Sequence, residues 1–335
     1  MRSRSTSFAL AGLAGVLTLV TSGCNTTPAL NLTHHAAQAI YWDLFAQSPE
    51  PGMEETKLPL TVASSVTDIQ SNGTNLLRES NAMAIDSMDR LWVMSFPTQG
   101  EPEQAEVFTL PLTQESAPVL TFTFPGANDI SSIEFDANGN LWGADFDIGD
   151  VYEFAGPFTT SGALDPAVTL TPGGHASGLA FDSHGDLFVS NGLSTGSDSI
   201  AVYSAPIGNA VSYYLDGVSG PGGLIFDSLG DLYVGNDTDN GVGAAIDRFS
   251  AGNQASGDTP DIVDPTGMNG QPYAAAFAFD SEGNLYDADC GNTAATGVRV
   301  YAAVATSFSS TEAPSIHFQD GNITTASCVW GIAIH

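Results

Sequence analysis

Short apolar runs separated by polar, glycine-bearing turns set the pattern of this chain. The clearest copy is Gly178 to Asn191, GLAFDSHGDLFVSN, in which two apolar strands flank a polar turn. It recurs as AMAIDSMDRLWVMS from Ala82, SIEFDANGNLWGAD from Ser132, GLIFDSLGDLYVGN from Gly223 and AFAFDSEGNLYDAD from Ala276. Each copy predicts a β-hairpin. Taking the Asp of each Phe-Asp or Ile-Asp pair as an anchor gives Asp86, Asp136, Asp182, Asp227 and Asp280, with His335 in the equivalent place of the run VWGIAIH. The spacings are 50, 46, 45, 53 and 55 residues. A period in the forties to fifties with several short strands per unit is the signature of a β-propeller.

The turn after each anchor carries Gly139, Gly185, Gly230 or Gly283, where a left-handed backbone is expected, and Asp89 stands there in the first unit. Trp92, Trp142, Phe188, Tyr233 and Tyr286 follow on the second strands, as expected core between blades. Third strands are predicted from Ala105, Asp150, Ile200, Ala245 and Val298, and fourth strands from Pro118, Ala167, Val211 and Ser315, with a weaker one at Asp261 to Asp264. The fold class is therefore all-β: a six-bladed propeller of four-stranded blades, with five or seven blades as the alternatives. Runs from Ala39 and Leu58 are expected to complete the blade that the last strand begins, giving three strands there and closing the ring by pairing N-terminal with C-terminal strands.

The units resemble NHL-type repeats: glycine, apolar strand, Asp, a turn with Gly, then an aromatic strand ending in Asp or Asn. The resemblance covers about residues 39 to 335 and implies a propeller that serves as a binding module. Related propellers include streptogramin lyases and the gluconolactonase family, whose sites lie at the central opening of one face. The gluconolactonase family binds its metal through a Glu, Asn and Asp set, which Glu79, Asn191 and Asp145 could imitate in part. That family's N-terminal Glu-Gly-Pro context is missing here.

Composition then narrows the partners. The chain carries a formal charge of −31, which becomes −33 without Arg2 and Arg4, and only Lys57, Arg78, Arg90, Arg248 and Arg299 remain as strong cations. Such a surface disfavours nucleic acid and anionic headgroups, while cationic partners and divalent metals are permitted. Arg2, Arg4, the apolar run Phe8 to Val20 and the sequence Thr21-Ser22-Gly23-Cys24 read as a secretory signal over residues 1–23. The last four residues resemble a bacterial lipobox, which implies lipidation of Cys24, a tether over 24–38 and one domain over 39–335. The chain is thus expected in the bacterial cell envelope, anchored to the outer membrane or cell surface by its lipid alone, as a monomer. Ordinary secretion or a periplasmic location is the alternative.

Candidate chemistry sits at one end of the hairpins, where the first strand starts and the second finishes. Seven residues before the anchors stand Glu79, Asp129, His175, Gly220, Tyr273 and Cys328, and nine after them Ser95, Asp145, Asn191, Asn236 and Asp289. The first series varies, as a site would; the second is nearly uniform, as turn caps would be. His175, Glu79 and Asp145 form the candidate catalytic set, His175 as a general base or metal ligand. Asn81, Asp129, Asp147, Asn191, Asn236 and Tyr273 are candidate ligand-binding residues for an unidentified protein or small molecule. Asp145 to Gly149, Asp237 to Gly241 and Asp287 to Gly291 read D-x-D-x-G, an oxygen-rich pattern suited to Ca²⁺ or another divalent metal. Cys290 and Cys328 fall at the same end of adjacent units and are expected to form a disulfide. The functional expectation is a binding or interaction scaffold; the alternative is a metal-assisted lactonase or hydrolase, or a lyase, acting at the central opening.

Overall fold

The anchor aspartates build their hairpins by one scheme. One carboxylate oxygen of Asp86, Asp136, Asp182, Asp227 and Asp280 accepts the backbone amides two and four residues further on, at 2.8–3.0 Å. These bonds hold a turn whose left-handed residue is Gly139, Gly185, Gly230 or Gly283, at φ between 79° and 86°, or Asp89 at 55°. The other oxygen accepts from the polar tip of the second-strand aromatic: Trp92 Nε1 at 2.9 Å, Trp142 Nε1 at 3.4 Å, Tyr233 Oη at 3.4 Å and Tyr286 Oη at 3.0 Å. Phe188 has no polar tip, and the exposed His184 ring takes that oxygen of Asp182 instead.

The computed structural model describes residues 39–44, 52–61, 63–64, 67–69, 80–95, 102–113, 116–192, 198–236, 245–264, 274–289, 297–304, 308–319 and 329–335. Blade 1 comprises β4 (Ser80–Ile85), β5 (Arg90–Ser95), β6 (Glu103–Thr109) and β7 (Leu120–Phe124). Blade 2 has β8 (Ile130–Phe135), β9 (Leu141–Asp145), β10 (Val151–Phe154) and β12 (Val168–Leu170). Its short β11 (Gly162–Ala163) adds in parallel to β7 of blade 1. Blade 3 has β13 (His175–Phe181), β14 (Leu187–Gly192), β15 (Ser199–Tyr203) and β16 (Tyr213–Leu215). Blade 4 has β17 (Pro221–Phe226), β18 (Leu232–Asn236), β19 (Ala245–Phe249) and β20 (Ile262–Asp264). Blade 5 has β21 (Ala274–Phe279), β22 (Leu285–Asp289), β23 (Gly297–Tyr301) and β24 (Ile316–Phe318).

The closing blade pairs β25 (Ile332–Ile334) with β1 (Ala39–Leu44), β2 (Gly52–Lys57) and β3 (Thr67–Ile69). It has four strands where the sequence predicts three. The polar run GMEETK forms β2, whereas the apolar run from Leu58 is not a strand; it turns at Pro59 and puts Leu60 into the core. Hydrophobicity misplaces the strand because GMEETK carries a single apolar side chain, Met53, which fills one seam, while the turn-borne Leu60 fills the other.

Inner strands β4, β8, β13, β17, β21 and β25 touch in succession, and β25 touches β4, so the ring is closed. Each seam between blades has its own apolar cluster. The residue before each anchor joins them. Phe135, Phe181, Phe226 and Phe279 pack edge-on against Trp92, Trp142, Phe188 and Tyr233 of the preceding blade, at centroid distances of 5.4, 5.9, 4.9 and 5.6 Å. Edge-to-face contact adds to the area such rings bury. The Phe-Asp pair therefore does two jobs: Phe joins neighbouring blades and Asp closes its own hairpin.

Between inner strands the backbones come close. A Cβ on Gly178 would lie 2.1 Å from the Gly222 carbonyl oxygen. Gly178→Ala must push β13 from β17 and is expected to cost about 3 kcal/mol, read as a fall in urea midpoint. Gly208→Ala, with nothing within 4 Å of its Cβ, is the matched control.

Candidate functional site

Every inner hairpin of blades 1 to 5 breaks register near the start of its first strand: at Ser80/Ala82, Ile130/Ser132, Ala176/Leu179, Pro221/Leu224 and Ala274/Ala276. Such bulges re-aim side chains and gather at barrel rims and sites. Serines stitch this end together: Ser177 Oγ donates to the Pro221 carbonyl and Ser190 Oγ to the Gly222 carbonyl, both at 2.6 Å. Asn81 stands in the first of these bulges.

Blades 2 and 3 hold the most developed group at this end. The chain leaves β9 at Asp145 and turns within Phe146-Asp147-Ile148-Gly149. Asp145 caps that turn: its carboxylate accepts the amides of Asn128 at 2.8 Å and Ile148 at 3.0 Å, and its carbonyl accepts Gly149 at 2.8 Å. Phe146 N donates to the Asp129 carbonyl at 2.8 Å, and Asn128 Nδ2 to the Asp147 carboxylate at 2.6 Å. Phe146 is 37% exposed and stacks on His175, with ring centroids 4.8 Å apart and 24° between the planes. His175 Nδ1 lies 2.7 Å from the Phe146 carbonyl. A carbonyl only accepts, so Nδ1 carries a proton, and the neutral ring is the tautomer with its lone pair on Nε2. Gly149 has φ 80°, and a Cβ there would lie 2.4 Å from the Gly174 carbonyl, which seats the turn against the segment leading into β13.

Asp129, Asp145, Asp147 and His175 thus share one region, as the sequence suggests. Within it, Asp145 is buried and bonded to amides, and His175 is bonded to a carbonyl. Asn191 and Asn236 are buried between blades, with Asn191 Nδ2 donating to Ser199 Oγ at 3.3 Å and Asn236 Nδ2 bonding the Asp247 carboxylate. Glu79, Tyr273, Cys24, Cys290 and Cys328 lie outside the described residues.

Sequence reasoning misses Glu103, Glu106 and Asp247 among the buried acids of the blade seams, and reads Asp287 and Asp289 as part of an oxygen-rich metal pattern. Glu103, Glu106, Asp247, Asp287 and Asp289 are all buried. Burial pushes Glu103 up to about 8, with Asp129 and Asp145 adding repulsion. Burial alone takes Glu106 up to about 7 and raises Asp247 to about 7 against the opposing bond from Asn236. Asp287 and Asp289 are also raised by burial, although both face Arg299. The signal that could have found them is positional. Both faces of a blade are covered, so a charged residue on a second or third strand has no solvent side to face.

A divalent metal does not fit the described members of the Glu79, Asp145 and Asn191 set. Asp145 already accepts amides on both carboxylate oxygens, and Asn191, on β14 of the next blade, is buried with its Nδ2 on Ser199 Oγ. Asp287 and Asp289 of the third D-x-D-x-G run point into the protein rather than forming a surface loop. Among the described residues, no three His, Cys, Asp or Glu side chains gather closely enough to hold a metal ion.

No family model matches the sequence, and no curated protein matches it. Among solved structures, the periplasmic gluconolactonase PpgL of Pseudomonas aeruginosa aligns at 16% identity over 80% of this chain and 79% of its own, with a TM-score of 0.57. A candidate 6-phosphogluconolactonase of Bacteroides uniformis aligns at 14% identity over 80% and 79%, with a TM-score of 0.57. A functionally unknown protein of Desulfotomaculum acetoxidans aligns at 14% identity over 90% of both chains, with a TM-score of 0.55. At these identities the likeness concerns the fold, and with the six closed blades it makes the chain a β-propeller of the architecture that its repeats predict.

Proposed function

We propose that this protein is a lipid-anchored extracytoplasmic binding module, whose recognition surface is the group at Asn128, Phe146, Asp147, Ile148 and His175. One observation carries this reading. An exposed aromatic ring is held flat on a histidine that bonds the aromatic residue's own carbonyl, beside a fixed amide–carboxylate pair. Nothing in the hairpin repeat requires these side chains, and a pre-positioned aromatic with a few polar groups is how ligand sites are built. The lipobox at Cys24 supports the anchor. The expected Cys290–Cys328 bridge gains support from the backbone bond of 3.4 Å between the neighbouring residues Val329 and Asp289.

A photo-crosslinking residue in place of Asp147, in intact cells, should give a discrete adduct that Phe146→Ala abolishes without lowering the Tm. The same crosslinker at Met88, in the turn at the opposite end of the blades, should give none. Equal adducts from both ends, or none from either, would end this reading.

The second reading is a lactonase, favoured by the names of two structures similar in fold. His175 Nε2 is then the group available as a base. Enzyme-dependent hydrolysis of glucono-1,5-lactone that His175→Ala removes would establish it; a rate equal to spontaneous hydrolysis, with and without added divalent metal, would exclude that substrate.

A further inference from the structure

Blade 3 carries a groove of about 540 Å³. Asn191, Ser199, Tyr213 and Tyr214 of blade 3 line it, with Asp216 and Gly257 where blades 3 and 4 are joined by backbone bonds. Asn191 is 2% exposed. Its Nδ2 is committed to Ser199, and no described residue donates to its Oδ1. A buried amide oxygen without a donor is costly, on the order of 1–3 kcal/mol, and a turn of the Asn191 side chain toward the groove would let an entering hydroxyl satisfy it.

The tyrosines supply the second element. Tyr214 is 39% exposed, and its hydroxyl donates to the Pro172 carbonyl at 3.3 Å, which fixes one edge of the ring. Its own carbonyl accepts the amide of Gly257 at 2.8 Å, so the backbone beneath the ring is tied to blade 4. The groove therefore presents a flat aromatic surface at low entropic cost, next to hydroxyl and amide groups.

We propose that this groove binds a neutral oligosaccharide. Its lining offers hydroxyls and the exposed face of Tyr214, with the donorless Asn191 oxygen beneath, which are complementary to the alternating O–H donors and C–H faces of a sugar chain. Among the described residues no cation lines it, and Asp216 places a carboxylate at its edge, so a phosphorylated or uronate chain is rejected. The Phe146 surface is separate, so this assignment does not depend on it.

Isothermal titration of the full chain against cellohexaose, xylohexaose, mannohexaose and chitohexaose tests the assignment, with hexagalacturonate as the anionic comparison. At least one neutral hexamer is expected to bind with a Kd on the order of 0.1 mM. Tyr214→Ala should weaken it at least tenfold, Asn191→Leu should weaken it with enthalpy lost, and Phe146→Ala should leave it unchanged. If Asn191→Leu does not fold, the Tyr214→Ala result decides alone. Absence of binding to all four neutral hexamers at millimolar concentration overturns the assignment. So do equal binding of hexagalacturonate, an unaffected Tyr214→Ala variant, and loss of binding in Phe146→Ala alone.

Discussion

Raising the pH from 5 to 8 is expected to lower the Tm by about 5–10 °C. The cause is the set of acids buried between blades. Folded Glu103 titrates near 8, and Glu106 and Asp247 near 7, against ordinary values of 4.5, 4.5 and 3.8. Each keeps its proton in the fold and gives it up on unfolding once the pH exceeds the ordinary value. The unfolded chain then binds fewer protons than the native one, so stability falls as pH rises. The contribution is fully present below about pH 4 and is lost as the pH climbs through 7 to 8. One pK unit corresponds to about 1.4 kcal/mol per group, so three such groups move stability by several kcal/mol across this window. Self-repulsion from the formal charge of −31 acts in the same direction. Asp261, whose backbone bond to Ser250 and contact with Arg248 hold it below its usual range, opposes the trend only in stronger acid. Glu103→Gln and Glu106→Gln should each flatten the slope of Tm against pH. A Tm that is flat, or higher at pH 8, would show that these carboxylates are charged in the fold.

Arg299→Met is expected to destabilise the propeller by about 3–5 kcal/mol at pH 8 and by clearly less at pH 5. Arg299 lies in the seam of blades 4 and 5, against Asp289 and 3.9 Å from Asp287, with Asp264 and the Tyr301 hydroxyl also within electrostatic reach of one another. Desolvation already works against both carboxylates, and removing the guanidinium leaves two like charges in a dry seam. At pH 5 they escape by taking up protons, which is why the penalty shrinks. Replacing all three with apolar residues, Asp287→Leu, Asp289→Leu and Arg299→Met, should recover most of the loss if the seam tolerates the volume. Urea unfolding at the two pH values measures both effects. An Arg299→Met penalty independent of pH would mean that lost packing, not lost charge, dominates.

The repeat is legible in the sequence because each of its positions has a local role. Asp182 closes a turn, Gly185 supplies the left-handed residue, and Phe181 meets the ring of the preceding blade. Roles that depend only on near neighbours leave a period in the chain. The second strand of the closing blade leaves none, because Gly52–Lys57 has one apolar residue, Met53, in the core and the other apolar contact comes from Leu60 in a turn. Asp145 shows the limit for the site. Nine residues after its anchor, it reads both as cap and as catalytic candidate, and the two amide bonds that make it a cap have no signature in the chain. Phe146 beside it carries no signal of its own, since an exposed aromatic and a core aromatic read alike in one dimension. Its stacking on His175 joins residues from two blades and has no signature in spacing.

The pairing of β25 with β1, extended by bonds between Ala39 and His335, also sets an order of events. A chain made from its N-terminus must hold β1 to β3 without their inner partner until five other blades have been synthesised. For that interval the edge of β1 is open to other strands. Premature stops or slow synthesis late in the chain would therefore favour pairing between molecules, and a holding factor during assembly would matter most for the part of the protein made first.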